Sequence, residues 1–423
     1  MADKQTCYVY IQLPGTHTWV TCASLSIEEV GAQAYLGEFL YGQRYLERSN
    51  VIPLDSYLLP LRRAVIQFTK LKGVPGPVRD ASPDYWGRRV IQAKLDRKDE
   101  DLTEIDYLLN GPDDGAGNLR FGLDREPPGP PRRFNRTHQL SELVHAAQIL
   151  QEDGRLPYEV LENLEPGTSM GGARPKATIE DQHKIWLAKL PEKDDRHNMQ
   201  RIEYATLELA RQANLNVCGT RLESLGATDV LMLERFDRKW NPTAQAYDRY
   251  GLVSGLTILD AEDGYQGRER WSYPLLAQEL RRRSVVPNAD CLELFRRMVF
   301  NAMVTNNDDH PRNHAMLHTP GGWRLSPAYD IVPMSLVSQE RRDLALTVGE
   351  YGRVASVYNI LSSCEEFGIT DAQARQEIEA MRAVVNGWRQ IYAAHGVSDD
   401  ALDMLEGAIL PACFDLTEPV SSI

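Results

Sequence analysis

The sequence predicts a mixed α/β (α+β) chain of more than one domain. Three observations carry that prediction. The opening is β-rich and broken by a Pro-Gly turn, a proline-dense stretch interrupts regular structure near residue 126, and in the second half apolar strands give way to long amphipathic helices. At 423 residues there is room for two or three domains and a large core.

Tyr8-Val-Tyr-Ile-Gln-Leu13 and Thr18-Trp-Val-Thr-Cys22 are strand-forming runs on either side of Pro14-Gly15, which reads as a hairpin. Glu126-Pro-Pro-Gly-Pro-Pro-Arg-Arg133 cannot continue a helix or a central strand and reads as a linker or extended arm, with a helix following near Leu140–Gln151. From about residue 165 the order becomes a glycine turn, a strand at Lys184–Leu190, and an amphipathic helix over Asn198–Gln212 with Ile202, Thr206, Leu209 and Ala213 on one face. An apolar strand, Val230–Leu233, runs into Glu234-Arg-Phe-Asp237. The segment Asp290–Thr305 is apolar at Leu294, Phe295, Met298, Val299 and Ala302, as a helix core face requires. Thr370 and Gln373 have capping-box spacing, and the helix behind them is expected to bury Ile378, Met381, Val384, Trp388 and Ile391 before stopping near His395-Gly396.

Composition is that of an ordinary globular protein, 42% hydrophobic and 25% charged. A formal net charge of −13 argues against a broad nucleic-acid-coating surface. The run Arg281-Arg282-Arg283 reads as a solvated helix face. Six scattered cysteines without a CxxC pair indicate neither a zinc site nor a disulfide framework. With no leader-like segment and no long uncharged apolar run, a cytoplasmic protein away from the membrane is expected.

Chemistry concentrates in Asn306-Asn-Asp-Asp-His-Pro-Arg-Asn313 and Ala328-Tyr329-Asp330. Asp308 and Asn313 stand five apart with Asp330 downstream, the spacing by which kinase catalytic loops hold a hydroxyl-orienting Asp, a metal-binding Asn and a second metal-binding Asp. Phosphoryl transfer needs oxygen ligands for Mg²⁺, because phosphates must be brought together against their own charge. Five residues after Asp309 stands His314, so Asp308 is the catalytic candidate. His310 and His314 are four apart, but Pro311 disfavours an α-helix presenting both to one metal, which leaves His310 a structural or nucleotide-contacting role.

Supporting residues are weaker signals. Gly171 and Gly172, followed by Ala173-Arg174-Pro175-Lys176, suit a loop whose N–H groups approach phosphate, although a plain tight turn reads at least as well. Period two puts Leu187 and Lys189 on one strand face, as a phosphate-binding Lys requires, and Glu203 on the next helix is its candidate ion-pair partner. Glu234, Arg235 and Phe236 stand where a hinge would offer backbone groups to adenine, and Asp237 stands where it could reach a ribose; an ordinary strand end with an ion pair reads equally well.

In order, Thr168-Ser-Met-Gly-Gly-Ala-Arg-Pro-Lys-Ala177, Leu187-Ala-Lys-Leu-Pro191, Glu234-Arg-Phe-Asp-Arg238, Asp308-x-His-x-x-Asn313 and Leu325-Ser-Pro-Ala-Tyr-Asp330 closely resemble the HipA family, the serine/threonine-kinase toxins of bacterial HipBA toxin–antitoxin modules. Tyr41-Gly-x-x-Tyr45, Pro53–Leu61 and Asn110–Phe121 resemble the family's N-terminal domain. The resemblance implies a two-lobed protein-kinase-like fold, with a small β-rich N-terminal domain (8–115), a linker and helix (116–165) and a C-terminal kinase domain with a mainly helical lobe (166–400). It implies ATP and Mg²⁺ as cofactors, Asp308 as catalytic residue, Asn313 and Asp330 as metal ligands, and Lys189, residues 171–176, Glu234–Asp237, His310 and Tyr329 around the nucleotide. Ser169 falls on the family's autophosphorylated serine. It further implies an aminoacyl-tRNA synthetase as protein substrate and a HipB-like helix-turn-helix antitoxin that carries the chain to operator DNA. Arg174-Pro175 departs from the family loop but keeps Lys176.

Two rival readings remain at this stage. Small-molecule phosphotransferases use HxDxxxxN, but here the position two before Asp308 is Asn306. A non-enzymatic corepressor or scaffold would not need the intact set Lys189, Asp308, Asn313 and Asp330.

Overall fold

The computed structural model describes residues 4–31, 34–129, 134–164, 174–335, 341–416 and 418. The chain divides into two compact units: Met1–Lys193 with Glu234–Thr257 and Leu317–Gly321, and Asp194–Leu233 with Ile258–Met316 and Gly322–Ile423.

The first unit opens with the expected hairpin. Strands β1 (Gln5–Gln12) and β2 (Trp19–Gly31) pair antiparallel from Gln5↔Ile27 to Gln12↔Trp19, and Gly15 takes φ +72° in the turn, a conformation glycine adopts without steric cost. With β3 (Ala34–Tyr41), β4 (Ile66–Phe68) and β5 (Leu119–Gly122) they form a five-stranded antiparallel sheet in the order β4-β3-β2-β1-β5. Alternation along β2 buries Ala23, Leu25 and Ile27, which pack with Val9, Ile11 and Phe39. Helix Leu140–Gln151 has the predicted bounds. Strands β6 (Lys176–Asp181) and β7 (Lys184–Lys189) make a second antiparallel hairpin.

The second unit contains β8 (Thr220–Leu225) paired with β9 (Thr228–Glu234) and most of the longer helices. Helix Met199–Gln212 is capped by Asn198, whose side chain accepts the Arg201 N–H at 3.0 Å, and it buries Ile202, Thr206, Leu209 and Ala213. Helix Pro287–Val304 starts with proline in its first turn and buries the predicted apolar face. In helix Tyr273–Arg283, Arg281 and Arg282 are exposed, whereas the Arg283 side chain is largely covered, and Arg282 and Arg283 both pair with Glu279.

One prediction needs correcting. The Thr370–Gln373 capping box forms, but the helix behind it ends at Val385, and a second helix spans Trp388–Ala394. The break falls at Asn386-Gly387, where glycine's conformational freedom disfavours helix. Across it Val385 and Tyr392 are fully buried, while Val384 and Ile391 are only half-buried. Among the described residues no helix is long and apolar enough to cross a membrane.

Candidate active site

Helix Pro287–Val304 delivers the chain to the candidate catalytic loop and ends at Thr305, whose φ of +55° turns the backbone sharply. A non-glycine residue in this conformation is strained unless held. Thr305 is held: its hydroxyl donates to the Ala408 carbonyl, and Arg342 Nη1 donates to the same hydroxyl at 2.5 Å. Arg342 also donates to the carbonyls of Ala408 (2.9 Å) and Gly407 (2.5 Å), so the segment near 407–408 braces the loop from behind.

The two adjacent aspartates have opposite surroundings. Asp309 is fully buried and accepts the Tyr273 hydroxyl at 2.6 Å and the Ala345 N–H at 2.7 Å. Asn301 Nδ2 donates to the Tyr273 hydroxyl at 2.9 Å, and Asn306 Nδ2 donates to Asn301 Oδ1 at 3.1 Å. This buried chain fixes the loop to the helices beneath it, and desolvation raises the Asp309 carboxyl to about 7. Asp308, one residue earlier, is exposed. Its backbone carbonyl accepts the His310 N–H at 2.7 Å and Asn313 Nδ2 at 2.9 Å. The loop therefore closes on the main chain of Asp308 and turns the Asn313 carbonyl oxygen the other way.

His310 caps the 3-10 turn Pro311–Asn313, Nδ1 accepting the Arg312 N–H at 3.2 Å, and packs edge-on against Trp271. Burial lowers its pKa to about 4, and that of the fully buried His314 to about 3, so both are neutral at pH 7. As Pro311 predicts, no α-helix presents the two together. Arg312 makes a bidentate pair with Asp263 at 2.8 and 2.6 Å, and its carbonyl accepts the Tyr329 hydroxyl at 2.6 Å. That bond ties the Tyr329–Asp330 segment to the loop. Asp330 is half-buried with φ +57°, and the Ala328 N–H donates to the Asn216 carbonyl at 2.7 Å. Asn313 and Asp330 supply hard oxygen donors, the chemistry Mg²⁺ takes. Among the described residues no cluster of three or more His, Cys, Asp or Glu could hold a metal.

A family model described as the HipA-like C-terminal domain matches residues 168–388, just over half of the chain. The chain belongs to the HipA family. It is 23% identical over 251 residues to the serine/threonine-protein kinase toxin HipA of Shewanella oneidensis, a match covering 51% of this chain and 55% of that protein. The chain thus spans about half the length of that curated relative. Among solved structures it is similar to HipA in the Shewanella oneidensis HipA, HipB and operator DNA complex, with a TM-score of 0.66 and 16% identity over 95% of this chain and 94% of that one. With its antiparallel sheets and helical second unit, the chain has the two-lobed kinase-like fold.

The remaining predicted residues of this HipA-like domain lie in both units. In the first, Lys189 is buried at 2% exposure and stands directly across β6–β7 from Lys176, which is fully buried. Two lysines in that register repel. Asp84, the N-cap of helix Tyr85–Leu95, pairs with Lys176 at 2.5 Å, which reduces the charge Lys176 has for a phosphate. Arg174 approaches Glu192 at 3.7 Å, and the Pro175 carbonyl accepts the Leu190 N–H at 2.8 Å. Ser169, Gly171, Gly172 and Ala173 lie outside the described residues. In the second unit Glu203 is buried.

The segment after β9 corrects the reading of Asp237. Arg235, just beyond β9, donates its N–H to the Ile185 carbonyl of β7 at 2.8 Å, and Phe236 lies in the turn that follows. Glu234 pairs with Lys184 at 2.6 Å. Asp237 does not face a ligand. It is fully buried, and it accepts from Arg235 Nε (3.0 Å) and Nη2 (2.8 Å), Arg238 Nη1 (2.9 Å) and the Gly117 N–H (2.8 Å). Its carboxyl sits near 2 because those guanidiniums outweigh the desolvation that would raise it. Gly117, at φ +74°, presents the N–H that Asp237 accepts.

Tyr273, Asn301, Arg342 and Asp84 were beyond sequence reasoning. Only Asn301 left a trace, as a polar residue among the buried apolar positions of its helix.

Proposed function

We propose that this chain is an ATP-dependent serine/threonine-protein kinase toxin of the HipA type. The observation that carries the reading is the contrast at 308–309: Asp308 is exposed, whereas Asp309 is fully buried and consumed in holding the loop. Asp308 orients a substrate hydroxyl and takes up its proton as the new O–P bond forms and the bond to the ADP leaving oxygen breaks. Asn313 and Asp330 would hold Mg²⁺, whose charge offsets that of the phosphate oxygens. Lys189, paired with Glu203, and residues 171–176 are assigned to the phosphates, the backbone of Glu234–Phe236 to adenine, and His310 and Tyr329 to the walls of the nucleotide site. The domain scheme 8–115, 116–165 and 166–400 is part of the same proposal.

The protein substrate is expected to be an aminoacyl-tRNA synthetase, and Ser169 the site of autophosphorylation. A HipB-like helix-turn-helix antitoxin is the expected partner and the route to DNA. The solved relative in complex with HipB and operator DNA supports that choice, and the acidic charge of −13 leaves the chain itself poorly suited to phosphate backbones.

Incubation with γ-labelled ATP and a bacterial lysate tests the reading. Label should enter one host protein and Ser169 of this chain, as mass spectrometry would locate it. Transfer should stop with EDTA and resume with Mg²⁺ or Mn²⁺. Label passed only to small molecules would favour a small-molecule phosphotransferase, and no transfer at all a non-enzymatic corepressor.

A further inference from the structure

The first unit holds a cleft of about 740 Å³ outside every residue assigned above. It lies between the β1–β2 turn, the end of β6 and a small hairpin, β10 (Arg238–Asn241) paired with β11 (Ala246–Arg249). Trp19, Phe134, Trp240 and Tyr247 wall it. These rings are held in place rather than collapsed on one another. Trp240 stacks on His183 with centroids 4.2 Å apart, Tyr247 meets Trp240 and Phe134 edge-on, and the Tyr247 hydroxyl contacts Glu180 Oε1 at 2.8 Å. Four half-buried rings around one opening are a surface for a flat, apolar body.

The polar end of the cleft is a cation. Arg249 lines it and is 7% exposed, with its guanidinium 4.8 Å from the Trp19 ring centroid. Its one hydrogen bond among the described residues is long, 3.3 Å from Nη1 to the Asp113 carbonyl, and no described carboxylate lies within ion-pair distance of it. The neighbouring carboxylates make their direct pairs with other guanidiniums, Asp237 with Arg235 and Arg238, Asp114 with Arg235 at 3.4 Å, and Asp113 with Arg120, while Asp114 Oδ1 accepts no hydrogen bond and attracts Arg249 only from beyond ion-pair distance. Four guanidiniums, those of Arg120, Arg235, Arg238 and Arg249, therefore share three carboxylates. Desolvation, joined by repulsion from Arg235 and Arg120, outweighs the attraction of Asp114 and Asp237 and lowers the Arg249 pKa to about 10, which still leaves it charged at neutral pH. A buried guanidinium with no carboxylate in direct contact is costly, and an anion placed against it would recover part of that cost.

We propose that this cleft binds a small ligand consisting of a planar ring that carries one anionic group, the ring lying among Trp19, Trp240 and Tyr247 and the anion on the Arg249 guanidinium. Phosphate and carboxylate both match the guanidinium fork, so the ligand is either a nucleoside monophosphate or an aryl carboxylate. The site is separate from the proposed ATP site and independent of whether the chain is a kinase.

Titration of the full chain with AMP and, separately, with indole-3-acetate tests this, read by tryptophan fluorescence and calorimetry. At least one probe should bind saturably, and Arg249→Gln and Trp240→Ala should each weaken it at least tenfold. AMP binding alone identifies the phosphate class, and indole-3-acetate binding alone the carboxylate class. If Arg249→Gln fails to fold, Arg249→Lys, which keeps the charge but loses the fork, should still weaken binding severalfold. Absence of saturable binding by either probe overturns the proposal, as does binding unchanged in the folded variants.

Discussion

Asp308 and Asp237 look alike in the sequence. Each follows an apolar element by a few residues, and each stands where a nucleotide-binding protein would use a carboxylate. The structure separates them. Asp237 has no exposure and accepts four hydrogen bonds from two arginines and a backbone N–H. Asp308 is exposed, and its backbone carbonyl accepts the Asn313 side chain that fastens the loop. An acid whose oxygens are all engaged belongs to the scaffold. One that the scaffold presents without enclosing can serve a ligand.

The sharpest test of that contrast is at the loop itself. Asp308→Asn should lower phosphoryl transfer by about 10³-fold or more, because it removes an interaction made mainly in the transition state. Its stability should stay within about 0.5 kcal/mol of the parent, as for an exposed substitution. Asp309→Asn should do the reverse, keeping substantial activity while losing stability, since Asn cannot accept from both Tyr273 and the backbone N–H of Ala345. Equal activity losses in the two folded variants would refute the division of labour.

At the other acid, Asp237→Ala should destabilise the chain by roughly 3–5 kcal/mol, because Arg235 and Arg238 are left buried beside each other with fewer counter-charges. Urea unfolding followed by circular dichroism would measure this. A loss below about 1 kcal/mol would mean the cluster rearranges or admits solvent.

The two buried acids also predict opposite pH dependences. Asp237 is lowered from 3.8 to about 2, so its contribution to stability is present above 3.8 and lost as pH falls through 2. Asp309 is raised from 3.8 to about 7, so the folded protein holds a proton that the unfolded chain has released. Its contribution is fully present below 3.8 and lost as pH rises through 7, with a slope of up to about 1.4 kcal/mol per pH unit. Unfolding free energy measured between pH 5 and 8 should carry that downward slope in the parent, and less of it in Asp309→Asn. Identical slopes would remove Asp309 as the source.

What was legible in the sequence follows the range of the forces involved. The β1–β2 hairpin, the helix Leu140–Gln151 and the Thr370–Gln373 capping box rest on periodicity and local chemistry, and all three form. The break at Asn386-Gly387 was missed because apolar residues continue in register on either side of it. Asp237 was open to two readings because its arginine partners are adjacent in sequence but Gly117, 120 residues away, completes its shell. At the catalytic loop, spacing singled out Asp308 over Asp309. The reason Asp309 is unavailable, the Tyr273–Asn301–Asn306 chain, is assembled by packing and leaves little trace in spacing.

Asp263 lies between the two extremes and gives the finest test. It is partly exposed and makes a bidentate pair with Arg312, whose backbone carbonyl receives the Tyr329 hydroxyl next to Asp330. The carboxylate also approaches His310 Nε2 at 3.8 Å, and it steadies the residue that anchors Tyr329–Asp330. Asp263→Asn should cost less than about 1 kcal/mol of stability, as for a partly exposed ion pair. Activity should fall by less than about tenfold, through loosened positioning rather than lost chemistry. The loss should appear mainly as a higher Mg²⁺ requirement, because the two proposed ligands flank that anchor, Asn313 after Arg312 and Asp330 after Tyr329. A loss approaching that of Asp308→Asn at saturating Mg²⁺ would place Asp263 among the reacting groups and blur the line between presented and enclosed acids.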